Sequence, residues 1–133
     1  METYRVGTLQ FHIDLSQPLY EQILDQIRSL VAKREISLGE KIPSVRELAQ
    51  ALKINPNTVM RAYQELERDG LTEKRRGQGT FITTSPSHVE GFRLELTQRT
   101  IEEFLIKMEN LGYSHDDIIK NIKSSYSSRK RGQ

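Results

Sequence analysis

The period of apolar positions changes along the chain. Residues 9–13, Leu-Gln-Phe-His-Ile, alternate apolar and polar, the pattern of a short edge strand or extended arm. A helix is expected to begin near Ser16-Gln17-Pro18, because proline is tolerated in a first turn. Leu19, Ile23, Ile27, Leu30 and Val31 then form one apolar stripe, which should end near Arg34, before Leu38-Gly39. Ser44-Val45-Arg46-Glu47 has the form of a capping box, in which serine accepts the amide of Glu47 and the glutamate reaches back to the amide of Ser44. Val45, Leu48, Ala49 and Leu52 give this second helix its buried face.

Lys53-Ile54 leave room only for a tight turn. Asn55-Pro56 restart the helix, with asparagine as N-cap and proline at the first helical position. The third helix should run to Asp69 and stop at Gly70. Two short helices joined in this way are a helix-turn-helix. After Gly70 the pattern shortens to that of a hairpin. Leu71–Lys74 and Thr80–Thr83 are the strands, and Arg75-Arg76-Gly77-Gln78-Gly79 is the turn. A hairpin in this place is the wing of a winged helix.

The polar stretch Thr83-Thr84-Ser85-Pro86-Ser87 marks the joint between two regions, 1–84 and 85–133. Beyond it, Phe92, Leu96, Phe104, Leu105, Met108 and Leu111 recur at helical spacings up to Gly112. Ser114 to Asp117 read as a cap and an acidic first turn, and Ile118, Ile119, Ile122 and Tyr126 form another stripe. Two such helices cannot build a full core alone, so they are expected to pack on a second copy of the chain. The fold class expected is mainly α with a small β wing: a winged helix-turn-helix followed by a C-terminal helical dimerisation hairpin.

Composition narrows the function. Of 133 residues, 35% are hydrophobic and 29% charged, a balance too polar for one large core and consistent with burial completed by a dimer interface. There is no cysteine, which excludes disulfides, thiolate metal sites and cysteine nucleophiles. No apolar run is long enough to span a membrane, and Met1–Leu15 lacks the form of a secretory signal, so a soluble, cytoplasmic protein is expected. His12, His88 and His115 are scattered, without ligand-pair spacing, and His115 beside Asp116 and Asp117 reads as a helix start. No catalytic residue, metal or cofactor is therefore expected.

A net charge of +2 says little about a nucleic-acid partner; the distribution of charge says more. At about 100° per residue, Val59, Ala62, Tyr63 and Leu66 fall on the core side of the third helix. Asn57, Arg61, Gln64 and Arg68 fall on the other side, flanked by Glu65 and Glu67. Asparagine and glutamine can read adenine with two hydrogen bonds, and arginine reads guanine in the same way. The first turn is expected to offer free amides near Asn57 and Thr58 to a phosphate. Arg46 lies off the buried stripe of the second helix, placed for a phosphate or a base unless Glu47 or Glu73 pairs with it. Lys74, Arg75 and Arg76 on the hairpin suit backbone phosphates, which position a protein without specifying sequence, and Gly79 would let the backbone approach the sugar-phosphate. Arg129-Lys130-Arg131 read as a solvated, frayed end.

The ordered motifs Pro18-Leu19-Tyr20-Glu21-Gln22-Ile23, Gly39-Glu40-Lys41-Ile42-Pro43-Ser44-Val45-Arg46-Glu47-Leu48-Ala49, Asn55-Pro56-Asn57-Thr58-Val59-Met60-Arg61-Ala62-Tyr63, Leu66-Glu67-Arg68-Asp69-Gly70 and Gly77-Gln78-Gly79-Thr80-Phe81 resemble the GntR family of bacterial transcription regulators. The opening Phe11-His12-Ile13-Asp14 and the short tail with Leu111-Gly112-Tyr113-Ser114 are similar to its YtrA subfamily. The resemblance implies a homodimer whose winged helices bind a palindromic operator in double-stranded DNA, often that of an ABC transporter operon, as a repressor. It places Arg46 and Thr58 at DNA-contact positions, with Ser44 and Asn55 at the two helix starts, and Gly79 at the wing tip. Many members carry arginine where this chain has Met60, with Arg61 following it. A small-molecule effector between the tail helices fits the architecture, although no polar constellation names one. Two other readings are a winged helix belonging to a pyridoxal-phosphate-dependent MocR-type regulator, for which no lysine stands in a glycine-rich setting, and a protein-interaction winged helix, against which the charge on the third helix argues.

Overall fold

The computed structural model describes residues 1–132. The chain opens with a hairpin, β1 (Glu2–Val6) and β2 (Leu9–Ile13), in which Val6 faces Leu9 and Glu2 faces Ile13. Strand β2 follows the expected alternation, with Leu9, Phe11 and Ile13 buried. Strand β1 was not expected: its residues are mostly exposed, so burial leaves little mark on its sequence.

The free edge of β2 is covered by two glutamines of α1 (Leu19–Ala32), one helical turn apart. Gln26 Oε1 accepts the His12 N–H at 2.8 Å and its Nε2 donates to the His12 carbonyl at 2.7 Å. Gln22 treats Asp14 in the same way, with both bonds at 2.8 Å. The side-chain amides thus supply the donor and acceptor that a further strand would have supplied, which satisfies an edge otherwise open to pairing with another chain.

Strand β3 (Lys41–Ile42) leads into α2 (Val45–Leu52), whose capping box forms: Ser44 Oγ accepts the Glu47 N–H at 3.1 Å and Glu47 accepts the Ser44 N–H at 3.0 Å. Lys53 makes the tight turn with φ of 58°, and α3 (Pro56–Arg68) starts at an Asn55 cap. The wing strands β4 (Thr72–Arg75) and β5 (Gly79–Ile82) each begin one residue later or earlier than expected, and β3 joins them in the order β3-β5-β4, all antiparallel. A two-residue strand carries no periodicity, so β3 is set by its partner β5. Two helices follow, α4 (Pro86–Asn110) and α5 (His115–Arg131). The cations at 129–131 close α5 rather than fraying from it, at the end where a helix dipole favours positive charge.

The core joins Ile23, Leu24, Ile27 and Val31 of α1 to Leu48, Ala49 and Leu52 of α2 and to Val59, Ala62, Tyr63 and Leu66 of α3. Val45, expected in it, is only half-buried. The chain divides into two compact units, Met1–Leu94 and the residues from Glu95 onward. The first unit thus runs ten residues beyond the expected joint at 84/85, because Val89 and Phe92 at the start of α4 are buried. Phe92 was expected at a dimer interface; instead it lies beneath Arg28, whose guanidinium carbon is 5.2 Å from the ring centre. Arg28 also grips Asp69, at the end of α3, with Nε and Nη2 at 2.9 and 3.1 Å from the two carboxylate oxygens.

Only 13% of the Arg28 side chain and 9% of the Asp69 side chain are exposed, so Asp69→Ala leaves a nearly buried cation with only the exposed Asp25, 3.9 Å away, as a partner. Urea unfolding is expected to show a loss of about 3 kcal/mol, the scale for breaking a buried pair from one side. Replacing both residues together, as Arg28→Met with Asp69→Ala, should cost less than Asp69→Ala alone.

Candidate nucleic-acid interface

The third helix is held by its inner face. Tyr63 is buried and donates its hydroxyl to the Pro43 carbonyl at 2.6 Å, which ties the middle of α3 to the entry of α2. Burial drives the Tyr63 ionisation far above the ordinary tyrosine range, so the hydroxyl keeps its proton and donates. With Val59, Ala62, Tyr63 and Leu66 inward, Asn57, Arg61 and Gln64 emerge along one exposed row, and Arg68 ends it. Met60 lies beside the row and is 42% exposed.

The cations of this surface differ in what holds them. Arg61 sits over the ring of Tyr20, 4.4 Å from its centre, with Tyr20 contributed by the first turn of α1. Arg68 donates to Glu65 at 2.7 Å, and Lys74 lies 3.8 Å from Glu67, so the flanking acids partly neutralise the far end of the row. Arg75 stacks on Phe81 across the wing, 4.1 Å from the ring centre, whereas Arg76 stands exposed in the turn. Arg46 is exposed on α2, and neither expected ion pair takes it. Glu47 turns back to the Ser44 N–H, and Glu73 accepts the Thr84 N–H at 3.3 Å.

Some expectations are corrected here. The amides of Asn57 and Thr58 are not free: Asn55 Oδ1 accepts the first at 2.8 Å and the Asn55 carbonyl accepts the second at 3.0 Å. The cap that starts α3 therefore consumes the donors expected for a phosphate. The Asn55 Nδ2 and the Ser44 hydroxyl proton remain available to a partner, since both caps use only oxygen lone pairs. Thr58 is half-buried. Gly79 has φ of 124°, a backbone conformation that side-chain-bearing residues rarely adopt, so its first task is to shape the wing, and the end of the Lys41 side chain lies beside it. Lys41 itself was missed by sequence reasoning. It sits opposite Phe81 in β3 and adds a cation to the wing, a placement that depends on the β3–β5 pairing.

In the second unit, Leu96, Leu105 and Met108 are half-buried, while Phe104, Leu111, Ile119 and Ile122 are exposed at 39, 72, 39 and 38%. Ile118, by contrast, is 3% exposed and already covered by its own chain, so it does not offer the free apolar surface expected of it. Phe104, Met108, Ile122 and Tyr126 border a groove of about 420 Å³ with Asn121, Ser125 and Arg129 around it. Among the described residues, no helix is long and apolar enough to cross a membrane.

A capped helix pair, a three-stranded wing and an outward polar row on the second helix of the pair define a winged helix-turn-helix. The family model described as "Bacterial regulatory proteins, gntR family" matches residues 19–82. The chain is 43% identical over 109 residues to the Bacillus subtilis "Uncharacterized HTH-type transcriptional regulator YhcF", covering 82% of this chain and 90% of that protein. It is 38% identical over 120 residues to the "HTH-type transcriptional repressor YtrA" of the same organism, covering 89% of this chain and 92% of the relative. A solved GntR family transcriptional regulator from Listeria monocytogenes superposes with a TM-score of 0.70 at 34% identity, over 84% of this chain and 98% of that one. The chain belongs to the GntR family and is a transcription regulator, not an enzyme.

The start of α2 should be acid-sensitive. The Glu47 carboxyl is held below its ordinary range, first by the backbone N–H of Ser44 and then by the Ser44 side chain. A depressed carboxylate stabilises fully above the unfolded value of about 4.3 and loses that contribution as pH falls through the folded value. Thermal melts from pH 5 to pH 3 are expected to fall more steeply in the native chain than in Glu47→Gln, which keeps the cap but does not titrate.

Proposed function

We propose that the chain is a homodimeric repressor that binds a palindromic operator through the exposed row of α3, with the wing on the flanking phosphates. The single observation that carries this reading is the row Asn57, Arg61, Gln64, projecting from a helix whose other face is locked in the core. These side chains are the ones that read adenine and guanine in the major groove. Arg46 and Thr58 border the row and contact the groove edge, with Ser44 and Asn55 donating at the two caps. Arg68, Lys74, Arg75, Arg76, Lys41 and the backbone at Gly79 position the duplex, and Arg76 is the freest of the wing cations.

Dimerisation uses the exposed apolar residues of α4 and α5, namely Phe104, Leu111, Ile119 and Ile122, with Leu96, Leu105 and Met108 beside them. Burying this surface against a second copy offsets the entropy of association. Two-fold symmetry then sets the recognition helices about 34 Å apart, one turn of DNA. The YtrA relative bears a repressor's name, which supports repression as the outcome of operator occupancy. By the YtrA resemblance, the chain acts in the cytoplasm on the operon of an ABC transporter, and a small-molecule effector is a further partner.

Selection of duplexes from a random pool should return an inverted repeat. Fluorescence anisotropy with that repeat should show Arg46→Ala weakened roughly tenfold or more, the scale of a lost arginine contact. Affinity should also fall steeply as salt rises. An unselective, salt-insensitive signal would overturn the DNA reading. In sedimentation, the native chain should be a dimer and Ile122→Asp a monomer; a monomeric native chain would overturn the paired tail.

A further inference from the structure

We propose that Tyr20 is a positioning residue for Arg61: its ring holds the guanidinium ready for base reading, which makes the first turn of α1 part of the specificity apparatus. The inference rests on the DNA reading of α3 and extends it to a residue outside the helix-turn-helix. Three observations bear on it. Arg61 lies 4.4 Å over the Tyr20 ring and, like Asn57 and Gln64 on the same row, stays exposed to a partner. The nearby acids of α3 are otherwise engaged, Glu65 by Arg68 and Glu67 by Lys74. Tyr20 is half-buried in α1, whose Ile23, Leu24 and Ile27 are fixed in the core, so the ring is a platform on a rigid element.

The physical distinction lies in which part of the arginine is used. An ion pair such as Arg68–Glu65 consumes N–H donors and cancels charge. A cation–π contact engages the charge through the ring face and leaves the N–H donors without a hydrogen-bond acceptor. Arg61 is thereby confined without being spent. An arginine already held in one place loses less rotamer freedom on binding, and its fork presents a fixed direction to a base edge. The wing uses the same contact in Arg75 over Phe81, at 4.1 Å.

The test uses the full chain, a duplex selected from a random pool, and single-base-pair variants of that duplex. Tyr20→Ala should weaken the selected duplex about two- to fivefold, the range of an exposed cation–π contact, and should relax discrimination at one base pair per half-site. Tyr20→Phe, which keeps the ring, should restore both. In an Arg61→Ala background, Tyr20→Ala should change nothing further. A Tyr20→Ala penalty that persists undiminished without Arg61, or an unaltered preference at every base pair, would sink the proposal. If Tyr20→Ala unfolds, nuclear magnetic resonance of the free native chain still decides, because the ring current of Tyr20 should shift the Arg61 side-chain protons upfield and unshifted protons would overturn the contact. Failure of the native chain to bind any duplex in a salt-dependent way would instead overturn the DNA reading itself.

Discussion

The pairing of Arg28 with Asp69 is the constraint on which the first unit depends. It lies where α1, the end of α3 and the start of α4 converge, and it is nearly dry. Apolar packing alone allows helices to rotate and slide with modest penalty, whereas a two-bond fork permits one geometry. Arg28 therefore fixes the axial position of α3 at its C-terminal end, and the Tyr63 bond to Pro43 fixes it in the middle. If α3 reads bases as proposed above, it must present side chains to a base edge within a fraction of an ångström, and this rigidity then serves recognition even where a buried ion pair adds little net stability.

A chain with net charge of only +2 can still present a basic surface when its acids are placed with care. Glu47 caps α2, Glu73 binds the Thr84 amide, Asp69 holds Arg28, and Glu65 and Glu67 temper the distal end of α3. The cations of this face include Arg46, Arg61, Arg75, Arg76 and Lys41. These groups are held by different means. Arg61 and Arg75 are steadied by aromatic rings, which preserves their donors, and Arg46 and Arg76 project freely. A steadied Arg61 suits a contact that depends on direction, and a free Arg76 suits phosphates, which accept from many directions.

The second unit has the opposite balance. Phe104, Leu111, Ile119, Ile122 and Tyr126 are exposed on helices that bury only Ile118 strongly among the described residues from Glu95 onward. Phe104, Met108, Ile122 and Tyr126 share one groove, and apolar surface gathered in this way is what interaction faces are made of. The first unit has its own core and the second has an incomplete one, which is the physical ground for the homodimer proposed above.

The sequence by itself determined the helices, their caps and the wing, because these depend on local chemistry: a serine three residues before a glutamate, an asparagine before a proline, a glycine after Asp69. It also determined which side of α3 faces outward, since helical periodicity separates Val59, Ala62, Tyr63 and Leu66 from Asn57, Arg61 and Gln64. Only the tertiary structure decided the contacts between residues distant in the chain. Strand β3 exists through its pairing with β5, the Gln22 and Gln26 amides become a false strand only when β2 lies against α1, and Phe92 is buried in the first unit with Arg28 over its ring. The placement of Tyr20 under Arg61 is of the same kind, for no local rule relates a residue in the first turn of α1 to one in the middle of α3. Local propensity acts over a few residues, whereas packing couples elements by proximity in space, and proximity is a property of the assembled fold.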